Sequence, residues 1–157
     1  MDMLVKLYAL PPIDENLLKT NNIRRVMAYD KEKIVQWIRA TFYDGWANEV
    51  QMAFGQHPIS CFISSTGGQI TGFACYDCTL KGVFGPMGVS PDLQGGGIGR
   101  GLLLAALHDM QHQGYGYAVI GWVGPAQFYE KVAGATSIPD SAPQTGMFRG
   151  QLQHDQL

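Results

Sequence analysis

No run of apolar residues in this chain approaches the roughly 20 that a membrane-spanning helix needs. The opening residues, Met1-Asp2-Met3-Leu4-Val5-Lys6, lack the basic-then-apolar layout of a signal peptide, so a cytoplasmic location is the expectation. Charge is scarce too. Only 15% of residues are Asp, Glu, Lys or Arg and the net charge is −2, which removes any reason to expect nucleic acid or an anionic membrane as partner. Cysteines number three, Cys61, Cys75 and Cys78. The Cys75-x-x-Cys78 pair lacks the second ligand pair of a zinc site. It also falls on a strand entering a turn, not at a helix start, where a redox thiol would have its pKa lowered. Small strand residues kept reduced is the reading that remains. No internal repeat is visible.

What the chain has in excess is glycine, 20 in all, with five in the seven residues from Gly95 to Gly101. An apolar strand-like run, Val83 to Val89, leads through the turn Ser90-Pro91-Asp92 into this loop, and a helical segment from Leu102 to Gln113 follows. Strand, glycine loop and helix in that order make an anion cradle. Glycine lets the backbone approach a ligand closely, and the free N–H groups of a helix start point at negative charge. A P-loop would need a Gly-Lys-Ser/Thr end, and no Gly-Lys pair occurs in this stretch. A dinucleotide fingerprint would need Gly-x-Gly-x-x-Gly, but the third position is Arg100, Leu102 or Leu104 from the three available starts. The strand that follows, Tyr117 to Val123, also ends without the acidic residue that would hold a ribose.

Gln94-Gly95-Gly96-Gly97-Ile98-Gly99 resembles the Arg/Gln-x-x-Gly-x-Gly/Ala loop of the GNAT superfamily of N-acetyltransferases. Further on, Phe128-Tyr129-Glu130-Lys131-Val132-Ala133-Gly134-Ala135 looks like that family's second helix signature, Tyr-x-Lys-x-Gly-Phe, with one extra residue before the glycine. The two motifs cover about a third of the chain in family order. The resemblance implies a GNAT-like α/β (α+β) fold: a mixed, mostly antiparallel central sheet with helices on both faces. It also implies acetyl-CoA as co-substrate, no metal, and direct transfer to the primary amine of a small molecule in a ternary complex.

Laid on that fold, residues 1–157 form a single acetyltransferase domain, large enough for a core burying roughly 70% of the unfolded surface. Residues 1–20 stand as an N-terminal arm ahead of the family core. Its strand-like segment, residues 3 to 10, is stopped by Pro11-Pro12, and its free edge is a candidate for pairing with a second subunit as a homodimer. A short helical turn near Glu15 to Lys19 comes next, then a strand from Ile23 to Met27. Asp30 is placed to cap a helix from Lys31 to Phe42, and a second helix runs from about Ala47 to Phe54. Thr66-Gly67-Gly68 turns a hairpin between strands Ile59–Ser65 and Gln69–Asp77. After Gly82–Val89, the cradle helix and strand Tyr117–Trp122, the Tyr129 helix closes on Gly134. Met147-Phe148-Arg149 is a candidate last edge strand, and the polar end with His154 and Asp155 is expected to fray.

The same resemblance assigns roles. Backbone amides of Gln94, Gly95, Gly96, Gly97, Ile98 and Gly99 hold the pyrophosphate, aided by Arg100 or the helix dipole. A main-chain N–H among Met87, Gly88 and Val89, with Val89 preferred, polarises the thioester carbonyl. Tyr129 protonates the departing sulfur, although a tyrosine beside Phe128 would otherwise read as a core aromatic. Two departures stand out. Gly88 occupies the region where many relatives carry a glutamate base, and Trp122 and Gly124 occupy that of an asparagine ahead of the tyrosine helix. Asp44, Glu49 and His57 are substitutes for the base. Glu49, one turn after Trp46, is preferred, with a solvated helix carboxylate as its plain alternative. His108 and His112, spaced i, i+4, read as a solvated helix face in the absence of a third ligand. Phe42, Tyr43, Trp46, Tyr76 and Trp122 suggest an aromatic-walled pocket, while Asp44, Glu49 and Asp77 would attract a cation. An amino sugar, polyamine, amino acid or antibiotic all satisfy this. A CoA-binding sensor without catalysis and a longer-chain acyltransferase are the rival functions.

Overall fold

The computed structural model describes residues 1–152. The elements run in the order β1 (Met3–Lys6), α1 (Glu15–Thr20), β2 (Arg24–Arg25), α2 (Lys31–Thr41), α3 (Asp44–Ala53), β3 (Cys61–Thr66) and β4 (Gln69–Tyr76). They continue with β5 (Val83–Val89), α4 (Ile98–His112), β6 (Tyr117–Ile120), α5 (Ala126–Ala133) and β7 (Thr136–Ser137). The strands form one sheet in the order β2-β3-β4-β5-β6-β1-β7. Every neighbouring pair is antiparallel except β5 and β6, which run parallel. This is the mixed, mostly antiparallel sheet expected.

Alternation along the strands sends one set of side chains to each face, and each face is covered by helices. On one face α4 brings Leu102, Leu103, Leu104, Leu107 and Met110 against Met3, Val5, Ala74 and Ile120. On the other, Ile34, Ile38, Ala47 and Val50 of α2 and α3 meet Cys61, Ile63, Phe73 and Cys75. The three cysteines are free thiols buried in the strands and the turn after them. Helix α4 is buried almost all round because α1 covers its outer side, and a Cβ on Gly101 would sit 2.6 Å from Ile23 Cδ1. One polar tie crosses this layer. Asp109 of α4 accepts from both Arg25 guanidinium nitrogens (2.8 and 2.5 Å) and from the Tyr76 hydroxyl (2.5 Å), so its buried charge is paired on every side.

Local expectations are met with shifted ends. Gly67 and Gly68, both at positive φ (57° and 78°), form the two-residue turn between β3 and β4, which matches the right-handed twist of the strands. Gly134 closes α5 in the left-handed conformation. Asp14 caps α1 by accepting from the Asn16 and Leu17 amides. Asp30 does not cap α2. Its backbone is already helical, and its carboxylate turns back to the Met27 amide and Arg24, both at 2.8 Å. The 3-10 turn Ala28–Asp30 sets that carboxylate over the Met27 amide, within reach of Arg24.

Two expectations are corrected. The N-terminal strand is no free arm: β1 lies inside the sheet, hydrogen-bonded to β6 along Met3–Lys6 and to β7 at Met3 and Leu4. Met3, Val5 and Leu7 are among the most buried side chains, so this strand is part of the core and not a detached arm. The segment Met147–Arg149 forms turns, not a strand, and the sheet ends instead on the two-residue β7. His154 and Asp155 lie outside the described residues. Among the described residues, no helix is long and apolar enough to cross a membrane.

Candidate active site

The site begins with a break in the sheet. β5 pairs with β6 only at Val83↔Val119 and Phe84↔Ile120. At that point Gly85 and Pro86 both stand opposite the single residue Cys75 of β4, a one-residue bulge with Gly85 at φ 119°. A bulge bends its strand, and proline offers no N–H to a ladder. β5 therefore leaves β6 after Phe84 and a fork opens between them. The Gly-Pro dipeptide inside an apolar run was the sequence signal for this bend.

Backbone alternation decides what faces the fork. The Ser90 amide donates to Thr71 O on β4 at 2.8 Å, and Gly88 stands opposite Phe73 in the same register. The amides of Gly88 and Ser90 thus point to β4, while those of Met87 and Val89 point the other way, toward the fork. Of the three expected positions, Met87 and Val89 have the required direction and Gly88 does not.

The cradle follows directly. After a 3-10 turn at Pro91–Leu93, Gln94 to Gly96 run exposed and the Gln94 side-chain Nε2 donates to the Val89 carbonyl at 3.5 Å. Gly95 and Gly97 adopt φ of 89° and 88°, the left-handed conformation that occurs in anion-binding backbone nests. α4 starts at Ile98, inside the glycine run and four residues before the predicted Leu102, and Gly101 N makes the first helical bond to Gly97 O at 3.1 Å. The amides of Ile98, Gly99 and Arg100 consequently have no intrahelical partner, and the positive end of a 15-residue helix dipole sits behind them. Ile98 contributes only its amide, since its side chain is buried in the core. Arg100 is half-buried on the first turn.

Tyr129 reaches the same fork from α5. Its ring meets Phe84 edge-on at 6.3 Å, where β5 and β6 part, and Phe128 at 5.2 Å. Burial pushes its phenol up to about 12, since an apolar surrounding disfavours the phenolate. The side chain is therefore a protonated donor throughout the neutral range.

The acceptor side differs from expectation at Gly88. A Cβ there would lie 2.5 to 2.9 Å from three ring atoms of Phe42, which stands on the strand where a side chain would project. Phe42 in turn packs with Trp46 (5.0 Å), Trp37 (5.6 Å) and Phe73 (5.9 Å), and Tyr43 with Trp46 (5.3 Å). Glu49 is half-buried beside this wall. It accepts from Thr79 Oγ1 at 2.6 Å, and its charge helps burial to raise the Tyr43 phenol. Asp44 is exposed and paired to Arg39 at 3.1 Å, and His57 is exposed in the turn before Pro58. Two members of the expected pocket are elsewhere. Tyr76 is buried under α4 on Asp109, and Asp77 is held by the Gly82 amide and the Tyr115 hydroxyl, both at 2.7 Å. His108 is not on a solvated face, because its Nε2 contacts Pro11 O at 2.7 Å. Among the described residues no group of His, Cys, Asp and Glu is arranged to hold a metal ion.

One structural residue escaped sequence reasoning. Asp2 is 3% exposed, and its carboxylate accepts from the Trp122 amide at 3.2 Å and the Met147 amide at 2.8 Å. It clamps the chain leaving β6 to the C-terminal segment, whose Phe148 packs on Gly121 and Trp122. An acid two residues from the start carries no pattern that would announce this.

Residues 57–132 match the family model of the acetyltransferase (GNAT) domain. No curated protein matches the chain in sequence at a significant level. Among solved structures, a GCN5-related glucosamine N-acetyltransferase region of a fungal multi-domain GH3 β-N-acetylglucosaminidase superposes with a TM-score of 0.69 at 14% identity, covering 87% of this chain and 19% of that one. A GCN5-related N-acetyltransferase from Sphaerobacter thermophilus gives 0.65 at 20% identity, over 86% of this chain and 47% of that one. A GNAT family N-acetyltransferase from Escherichia coli, solved in complex with CoA, gives 0.56 at 20% identity, over 69% of this chain and 65% of that one. The chain spans less than two thirds of each of these three, and at such identities the likeness is one of fold.

Proposed function

This chain carries the GNAT acetyltransferase domain over residues 57–132 on the GNAT fold, and from that premise we propose that it transfers the acetyl group of acetyl-CoA directly to the primary amine of a small molecule in the cytoplasm. The observation that supports the reading is the fork: β5 parts from β6 after Phe84, the Tyr129 ring packs on Phe84 at that point, and the amides of Met87 and Val89 on the parted stretch are directed away from β4. The nest amides, with Gln94 and Arg100 beside them, bind the pyrophosphate. The thioester then lies along β5 with its carbonyl oxygen on the Val89 amide. The amine nitrogen attacks the carbonyl carbon, and that amide stabilises the oxyanion. The C–S bond breaks as Tyr129 donates to the developing thiolate. A phenol near 12 is a weaker acid than a thiol near 8.5, so donation accompanies bond breaking and does not precede it. The proton lost by the amine leaves toward Glu49 or solvent, and the phenol is restored from solvent.

Thermal unfolding with and without millimolar acetyl-CoA tests the donor site, with NAD and ATP as controls. A ligand at roughly 100 times its dissociation constant adds about 2.7 kcal/mol, a shift of several degrees. A shift with acetyl-CoA alone is expected; none with any acyl-CoA sinks the reading. A second reading, CoA binding without transfer, draws on Phe42 covering Gly88. Binding without thiol release across a broad amine panel would favour it.

A further inference from the structure

We infer that Phe42, seated on Gly88, determines acceptor specificity and selects a primary amine carried on an aromatic body over an amino sugar or a polyamine. The inference rests on the acetyltransferase reading and concerns the same site. Gly88 lies between the two residues whose amides face the fork, so whatever covers its Cα borders the path of the attacking nitrogen. What covers it is a ring, close enough that any side chain in place of the glycine hydrogen would have to displace it. Trp46 packs beside that ring and carries the apolar surface on, with the fully buried Phe73 supporting both from behind. Tyr43, 42% exposed, extends it toward solvent.

This wall offers little to a hydroxyl. Its polar atoms are few, the Tyr43 hydroxyl and the indole N–H groups of Trp46 and Trp37. The hydroxyls of an amino sugar would lose water there without regaining partners, whereas an aromatic body gains offset or edge-on ring contacts. Of the two carboxylates beside the wall, Asp44 is already paired with Arg39, and Glu49 lies within electrostatic reach of Tyr43. It suits one ammonium group and leaves the further cations of a polyamine uncompensated. An apolar wall discriminates by roughly 10- to 100-fold, not more.

The experiment compares kcat/KM of the full chain for phenethylamine, glucosamine and spermidine, following thiol release, with the acetyl-CoA thermal shift run in parallel. Phenethylamine is expected to exceed both others by about 10-fold or more. Phe42→Leu is expected to reduce that preference several-fold through KM while the acetyl-CoA shift persists. Tyr43→Ser, at a more exposed position, gives the same readout if the core does not tolerate the first change. Glucosamine or spermidine equal to or better than phenethylamine overturns the inference and leaves the acetyltransferase reading in place, as does a preference that neither substitution moves. An acetyl-CoA shift with no transfer to any amine, or no shift at all, overturns the acetyltransferase reading and the inference with it.

Discussion

At the scale of single residues, Tyr129 shows how surroundings define a role. As an isolated phenol it would half-titrate near pH 10, but burial against Phe84 and Phe128 moves that point to about 12. An acid that must hold its proton then does so across the working range. Tyr129→Phe is expected to lower kcat by about 100-fold, with acetyl-CoA affinity unchanged, since the ring survives and only the donor is lost. In the parent protein kcat should show no falling limb at pH 10; a limb there would remove Tyr129 as the donor. Folding stability is linked to the same shift. The folded state keeps a proton that the unfolded chain releases above pH 10, so this contribution is present below pH 10 and is lost as pH rises to about 12. Tyr115, also pushed up to about 12 by burial and by Asp77, acts in the same direction. Denaturant unfolding at stepwise pH, with Tyr129→Phe showing the shallower decline, checks the sign.

At the scale of elements, the strand–loop–helix unit from Val83 to His112 holds most of the chemistry, and its glycines are not equivalent. Gly97 has φ 88° and a Cβ there would lie 3.0 Å from Leu17 Cδ2, so a side chain at this position damages the fold as well as the nest. Gly96 is exposed, and its nearest neighbour would be Leu93 O at 3.6 Å. Gly96→Val is therefore the cleaner probe. It should leave the melting temperature of the unliganded protein within about 1 °C while weakening acetyl-CoA about 10-fold or more by crowding the phosphates. Isothermal titration and unliganded melting curves separate the two effects, and equal losses in both would show that the loop serves the fold alone. This unit was legible in the sequence because every step in it is local. A proline turn, a glycine run and an apolar helix each follow from neighbouring residues. The bulge at Gly85-Pro86 was legible in principle, since proline within a strand demands an irregularity.

At the scale of the whole molecule, the placement of β1 is the largest departure from expectation. A strand read as an arm sits between β6 and β7, and Asp2 beside it clamps Trp122 and Met147 near the mouth of the fork. Deleting residues 1–6 should abolish cooperative unfolding, because it removes the buried Met3 and Val5 and leaves β6 with an unpaired edge. Circular dichroism melts of the truncated chain check this; a stable truncated protein would mean that β7 can close directly on β6. The edges left open by the sheet, β2 and β7, are two residues long each, which blunts them against pairing with other chains.

The sequence alone determined the alternation of elements and the glycine loop that opens the long helix, because hydrogen bonding within a loop and helix start depends on residues a few positions apart. It also determined that Gly88 lacks a carboxylate. Tertiary structure decided what stands there instead, since Phe42 reaches Gly88 only when α2 is laid on the sheet. It decided that Tyr76 and Asp77 serve the fold and not the site, by bringing Asp109 and Tyr115 to them across 33 and 38 positions of chain. It decided the place of β1 as well, because a strand of four alternating residues satisfies any edge of suitable apolar face, and only the competition among all edges of the folded sheet selects one.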